Sequence, residues 1–291
     1  MRPPLGIVGA GRVGNALARL LAAQGWPVVA VTSRTPAHAR TLAGAVGADA
    51  VPDAAAVLAR AELTLFTVPD DAIAPLASEL AEAAVPGRAA VHTSGALGAE
   101  ALAPLAERGV RVGSLHPAYP FAGGETPGLG RVFFAVEAPG LELRQVLLEV
   151  TAALGGQPIL IPAGGKAQYH AALAIASNYA VTLFAEAERL LTGLGIGRET
   201  ADDVLNGLLA GVTANLRERG VPDALTGPLS RADVGTVRLH VRALRAAGPE
   251  LAALYVRLAL RTLPLVRARG TDTGPLEQLL EEESANAPDG T

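Results

Sequence analysis

The chain has 291 residues, half of them hydrophobic but only 3% aromatic, and a formal net charge of −4. That length allows two domains, with a core built mainly from Ala, Val and Leu. Well-mixed charge argues against a nucleic-acid footprint, and the absence of cysteine excludes disulfides, thiolate nucleophiles and cysteine-held metals.

The first strand is expected at Leu5 to Val8. It follows the N-terminus without the charged and apolar regions of a signal peptide, so a cytoplasmic protein is expected. Gly9-Ala10-Gly11-Arg12-Val13-Gly14 comes next, and then an apolar periodic segment from Ala16 to Ala23 that ends at Gly25. A G-x-G-x-x-G turn between a strand and a helix suits a dinucleotide. Gly9 permits the tight turn, Gly11 lets the backbone approach a pyrophosphate, and Gly14 lets the helix pack on the strand. Arg12 and Val13 complete the turn, whose free N–H groups and helix dipole favour phosphate.

The second strand, Val28 to Thr32, is followed about twenty positions after Gly14 by Ser33-Arg34-Thr35. An NAD site calls for an acid there, whereas Arg accommodates a 2′-phosphate and can pair with it bidentately. The expected cofactor is therefore NADP, the alternative for Arg34 alone being a solvated residue at a helix start. The third predicted strand, "LTLFTVPDD" (63–71), places Thr67, Val68 and Pro69 beside the cofactor, and Asp70 or Asp71 suits the N-cap of the next helix. Further strands are expected within 89–97, 110–121, 132–138 and 157–162, with a helix over 141–154. Strands alternating with helices predict a doubly wound, mostly parallel α/β sheet. Ligands of such sheets bind beyond the carboxyl ends of the strands, which makes Ser94 and His116 candidate substrate-binding residues.

After Pro162 the composition shifts to long Ala/Leu-rich segments. Helices are predicted over 165–193, 198–219, 232–246 and 248–268, then one short helix and a polar acidic tail. The expected organisation is a nucleotide-binding domain at 1–163, an all-α domain at 164–270 for substrate and dimerisation, and a tail at 271–291. The run from Ala167 to Ala185 has no Asp, Glu, Lys or Arg. It is too often interrupted by polar residues for a membrane span, which needs about twenty apolar residues. At about 100° per residue, Lys166, His170 and Ser177 fall within about 40° of one another, and Asn178 lies about 80° from His170.

Reduction of C=O or C=N by hydride requires a proton donor or an electrostatic stabiliser at the heteroatom. Lys166 and His170 can supply either, which makes Lys166, His170 and Asn178 catalytic candidates and Ser177 a substrate-binding one. The competing roles are an interior histidine and a helix–helix hydrogen bond. In "LTGPLSRADVGTVRLH" (225–240), Asp233 can cap a helix or hold Arg231, and Arg231 can bind a substrate carboxylate in a fork.

"GIVGAGRVGNALA", "SLHPAYPF", "KAQYHAALAIASNY" and "LTGPLSRADVGTV" together resemble a bacterial family that joins an NADP-type Rossmann domain to a helical C-terminal domain of unknown function. More distantly the chain is similar to the 6-phosphogluconate dehydrogenase-like group. That group includes β-hydroxyacid dehydrogenases, pyrroline-5-carboxylate reductases and NADP reductases using a deazaflavin coenzyme. The resemblance implies that Lys166 matches the catalytic Lys of the β-hydroxyacid enzymes, whereas His170 stands where they have Asn and Asn178 lies further along. It also implies a homodimer through the helical domain. The expectation is an NADP-dependent oxidoreductase acting on a small carboxylated carbonyl, imine or hydroxy compound, without nucleic-acid or membrane partners. The alternatives are a non-catalytic NADP(H)-binding or metabolite-sensing module, and hydride exchange with a deazaflavin coenzyme.

Overall fold

The structure is a computed structural model that describes residues 2–119, 121 and 132–285. Two compact units divide it, Met1–Ser177 and Asn178–Thr291. The first is built on an eight-stranded sheet of order β3-β2-β1-β4-β5-β6-β7-β8. Its strands are β1 (Leu5–Val8), β2 (Val28–Thr32), β3 (Asp49–Ala50), β4 (Leu63–Phe66), β5 (Ala89–His92), β6 (Arg111–Pro117), β7 (Phe133–Glu137) and β8 (Gln157–Leu160). All neighbouring pairs are parallel except β6–β7. The doubly wound sheet expected from the sequence is therefore present, with one strand added. Two-residue β3 is too short to carry a period-two pattern, so its sequence gives no strand signal. Pro120, within the expected fifth strand, lies outside the described residues, as do residues 286–291 of the expected tail.

Alternation along the strands fills both faces of the sheet. Leu5, Ile7, Leu65, Val91 and Leu115 pack with Leu17 and Leu21 of α1 (Arg12–Ala23) on one face. Val8, Phe66 and Ala90 pack with Val57 and Ile73 on the other. Those two belong to α3 (Ala54–Arg60) and α4 (Asp70–Glu79), while α2 (Pro36–Val46) adds Leu42 to the first face. The short α5 (Ala103–Ala106) precedes β6, and α6 (Leu141–Ala153) links β7 to β8.

The predicted helix over 165–193 is two helices, α7 (Lys166–Ala176) and α8 (Asn178–Gly193). Ser177 leaves ideal geometry at φ −114° and ψ −66°, and its hydroxyl donates back to the Leu173 carbonyl at 2.7 Å. Such back-bonding competes with the helical ladder and bends helices. Helix α7 belongs to the unit of the sheet.

The second unit continues with α9 (Arg198–Arg219), α10 (Gly227–Ser230), α11 (Val234–Ala247), α12 (Pro249–Ala268) and α13 (Gly274–Ala285). Its core lies between the last three, where Val237, Val241, Val256, Leu263, Leu276 and Leu280 are buried. Asp233 caps α11, accepting from the Thr236 amide at 3.0 Å and its hydroxyl at 2.7 Å. By contrast α8 buries no residue and α9 only Ala201. Val204, Leu208, Val212 and Leu216 recur every fourth position of α9, so they form one row, and all four are exposed. Among the described residues no helix is long and apolar enough to cross a membrane.

Candidate functional site

The glycine turn has the geometry its three glycines predict. Gly9 has φ +109°, a region L side chains rarely adopt. A Cβ on Gly14 would overlap the Gly9 carbonyl oxygen and the Thr67 hydroxyl, whereas one on Gly11 would meet nothing within 4 Å. Thr67 ties β4 to the turn, its hydroxyl donating to the Gly9 carbonyl at 2.5 Å and its amide to Val8 at 2.8 Å. Gly11 thus opens onto a cleft of about 950 Å³, which Arg12, Val13, Ser33, Arg34, Thr35, Thr67, Val68 and Pro69 also line. Of the residues expected at the cofactor, all but Gly14 line this one space, Gly14 packing instead against Gly9 and Thr67. His38, on α2, lines it too; the sequence signal for it was only its place in the first turn after Thr35.

The turn fits a pyrophosphate on two counts: a backbone approach that a Cβ at Gly14 would destroy, and open space over Gly11. A cation and two hydroxyls at the far end suit a phosphate.

A second cluster is tied to the residue that follows Pro69 in sequence. Pro69 lines the cleft, and the next residue, Asp70, accepts from the Ser94 hydroxyl at 2.7 Å. Asp70 is not the N-cap predicted for α4: Pro69 holds that position, without a side-chain cap bond. A carboxylate in the first helical turn still suits the helix dipole, and here it anchors the loop after β5. The Ser94 hydroxyl also accepts from the amides of Ala96 at 3.2 Å and Leu97 at 3.0 Å. It is committed to shaping the loop, and the part of Ser94 that serves the cluster is its carbonyl.

Register explains how distant segments meet there. His92 at the end of β5 is level with Ser114, and Ser114 with Glu137. Val136 is level with Leu160 at the end of β8. Because β7 and β8 run against β6, the chain leaves β8 near the carboxyl end of β5. Six residues later it starts α7 with Lys166, whose Nζ donates to the Ser94 carbonyl at 2.8 Å.

Lys166 is the only lysine in the chain, every other one of its 24 basic residues being Arg. It is 2% exposed, and burial lowers its pKa from 10.5 to about 8 against the opposing pull of Glu137, Asp70 and Glu100. An Arg could not lose its charge in this way. His92 is fully buried. Its Nε2 donates to the Gly98 carbonyl at 2.8 Å and its Nδ1 accepts from the Ser94 amide at 3.2 Å. Burial, aided by Lys166, holds its pKa below the usual imidazole range. Glu137, also buried, accepts from the Ala99 amide at 3.1 Å, and burial raises its pKa.

His116 and His170 form the more open side. Their rings lie 6.0 Å apart, edge to face, with Gly95 between them. A Cβ at Gly95 would come within 2.5 Å of His170 Cδ2 and 2.9 Å of His116 Nε2. Tyr169, for which the sequence analysis had no role, places its hydroxyl 3.0 Å from His116 Nδ1. Burial first, then Lys166, lowers the His116 pKa to about 4, and burial raises that of Tyr169 to about 12.

Ser177 is not part of this cluster. It shares the angular position of Lys166 but lies three turns along the helix, about 16 Å away at 1.5 Å per residue. Asn178 opens α8, and Arg231 follows α10 exposed to solvent. Both belong to the second unit.

Sheet order, glycine turn and cleft define a Rossmann-like unit followed by helices. Residues 1–117 match the Rossmann-like domain family, and residues 132–262 match DUF2520, a domain of unknown function. The chain thus joins a Rossmann-like domain to a DUF2520 domain. No match was found among curated proteins. Among solved structures, the chain is similar to a Bacteroides fragilis protein provisionally termed an NADP oxidoreductase. That similarity is 26% identity over 90% of this chain and 98% of the other, with a TM-score of 0.72. It is also similar to protein TM1727 from Thermotoga maritima, at 24% identity, coverage of 91% and 99%, and a TM-score of 0.74. A reductive aminase from Aspergillus terreus, in complex with NADPH and ethyl-5-oxohexanoate, shares the fold at 18% identity. Coverage there is 100% and 96%, with a TM-score of 0.60.

Proposed function

We propose that the protein is an NADP-dependent oxidoreductase, transferring hydride between NADP(H) and a small carboxylated carbonyl, imine or hydroxy compound. One observation carries this reading: the glycine turn and Ser33-Arg34-Thr35 line a single cleft, and Asp70, next in sequence to its lining Pro69, connects through Ser94 to the buried Lys166. The Bacteroides relative's designation agrees with it.

Gly9, Gly11 and Gly14 hold the pyrophosphate, and Ser33, Arg34 and Thr35 take the 2′-phosphate. When bound, NADPH supplies the hydride. The chain's own residues then act on the substrate heteroatom. His116 and His170 border the open side of the cluster, and Lys166 contributes positive charge from beneath, through its bond to the Ser94 carbonyl. The uncovered row Val204, Leu208, Val212 and Leu216 supports a homodimer formed through the helical domain, since exposed apolar patches of this kind mark interfaces.

Calorimetry with NADPH and NADH tests the reading. Charge-assisted hydrogen bonds contribute about 1.5–3 kcal/mol each, so Arg34→Asp is expected to shift preference toward NADH by about 10- to 100-fold. An unchanged preference would overturn the assignment of Arg34. NADPH binding without hydride exchange across a carbonyl and imine panel would favour a sensing module.

A further inference from the structure

The motifs "SLHPAYPF" and "KAQYHAALAIASNY" meet at one hydrogen bond, between the Tyr169 hydroxyl and His116 Nδ1 at 3.0 Å. Either partner could donate, and the surroundings decide which. The Lys166 ammonium lies 5.6 Å from the centre of the Tyr169 ring. A cation on that side draws electron density from the phenol, making its O–H a stronger donor and its oxygen a weaker acceptor. Burial keeps Tyr169 protonated and His116 uncharged, so the imidazole carries a single N–H. With Nδ1 occupied as acceptor, that hydrogen resides on Nε2. The Nε2 atom faces residue 95, where any side chain would press on it and on the His170 ring. Glycine there keeps a side chain off that nitrogen.

We propose that Tyr169 is a positioning residue that fixes His116 as its Nε2–H tautomer. The site then presents a neutral imidazole donor to a substrate atom that bears a lone pair. The proposal rests on the oxidoreductase reading and narrows its substrate class. A carbonyl oxygen or an uncharged imine nitrogen can accept such a bond; an iminium nitrogen, having no lone pair, cannot. No proton leaves His116: the donor polarises the acceptor, as preorganised donors do where charge develops.

The test is two-bond 1H–15N correlation spectroscopy at pH 7 on full-length protein labelled with 15N-histidine. The five histidines allow assignment by difference against a His116→Asn variant. The expected pattern for His116 is an unprotonated Nδ1 and a protonated Nε2, and Tyr169→Phe should move population toward the Nδ1–H tautomer. A wild-type Nδ1–H tautomer or an imidazolium would overturn the proposal without any variant being needed, and so would a pattern that Tyr169→Phe leaves unchanged. NADPH binding measured on the same sample separates the tautomer from the oxidoreductase function. A folded protein with the expected tautomer and no affinity for NADPH would overturn the oxidoreductase reading alone.

Discussion

Replacing Lys166 by Met should remove a specific dependence of stability on pH. The native pKa of about 8 lies below the ordinary 10.5, which an exposed lysine of the unfolded chain keeps. Between those values the unfolded state binds more protons, so stability rises with pH and the ammonium form burdens the native state below pH 8. Linkage with these two values gives a cost near 3 kcal/mol at pH 7, falling to between 1 and 2 kcal/mol at pH 9.5, a gain of about 2 kcal/mol. The side chain is 2% exposed, so solvent screening removes little of it. Trp26, the single tryptophan, is buried in the core of the sheet, and its fluorescence reports the first unit. At about 2 kcal/mol per molar urea, the wild-type midpoint should rise by about 1 M more between pH 7 and 9.5 than that of Lys166→Met. Parallel shifts in the two proteins would refute a depressed amine.

Gly14→Val should abolish NADPH binding and destabilise the first unit, because its Cβ overlaps the Gly9 carbonyl and the Thr67 hydroxyl; calorimetry and Trp26 fluorescence measure the two effects. Gly11→Ala is the milder partner, expected to retain the fold, since its Cβ meets open space, while weakening cofactor binding. Leu208→Glu combined with Val212→Glu should yield a monomer in sedimentation velocity; a monomeric wild type would remove the basis for the dimer.

Much of the fold was legible because its signals are local. The strand–glycine–helix order, the boundaries of α9 and the capping of α11 by Asp233 each depend on a few neighbouring residues. The bend at Ser177 was not legible, since an uncharged Ala-rich run has the same period on either side of it. Angular spacing alone grouped Ser177 with Lys166 because it ignores rise along the axis. The site was half legible. Residue type flagged Lys166, His116 and His170, and the turn flagged the cofactor cleft. The pairing of Tyr169 with His116 spans 53 positions, and that of Ser94 with Asp70 spans 24. No periodicity encodes such contacts. They arise from the register between β5, β6 and β7 and from the reversal at β7.

The solitary lysine has a further consequence, for proteolysis. A lysine-specific protease has a single peptide bond to cut, between Lys166 and Ala167, and the side chain it must grip is buried under the loop of Ser94. Cleavage therefore waits for the start of α7 to lift from the sheet. When opening and closing outpace cutting, the cleavage rate reports the free energy of that local opening. A ligand that braces the cluster should slow the cut, which turns one backbone bond into a gauge of how firmly the site is closed.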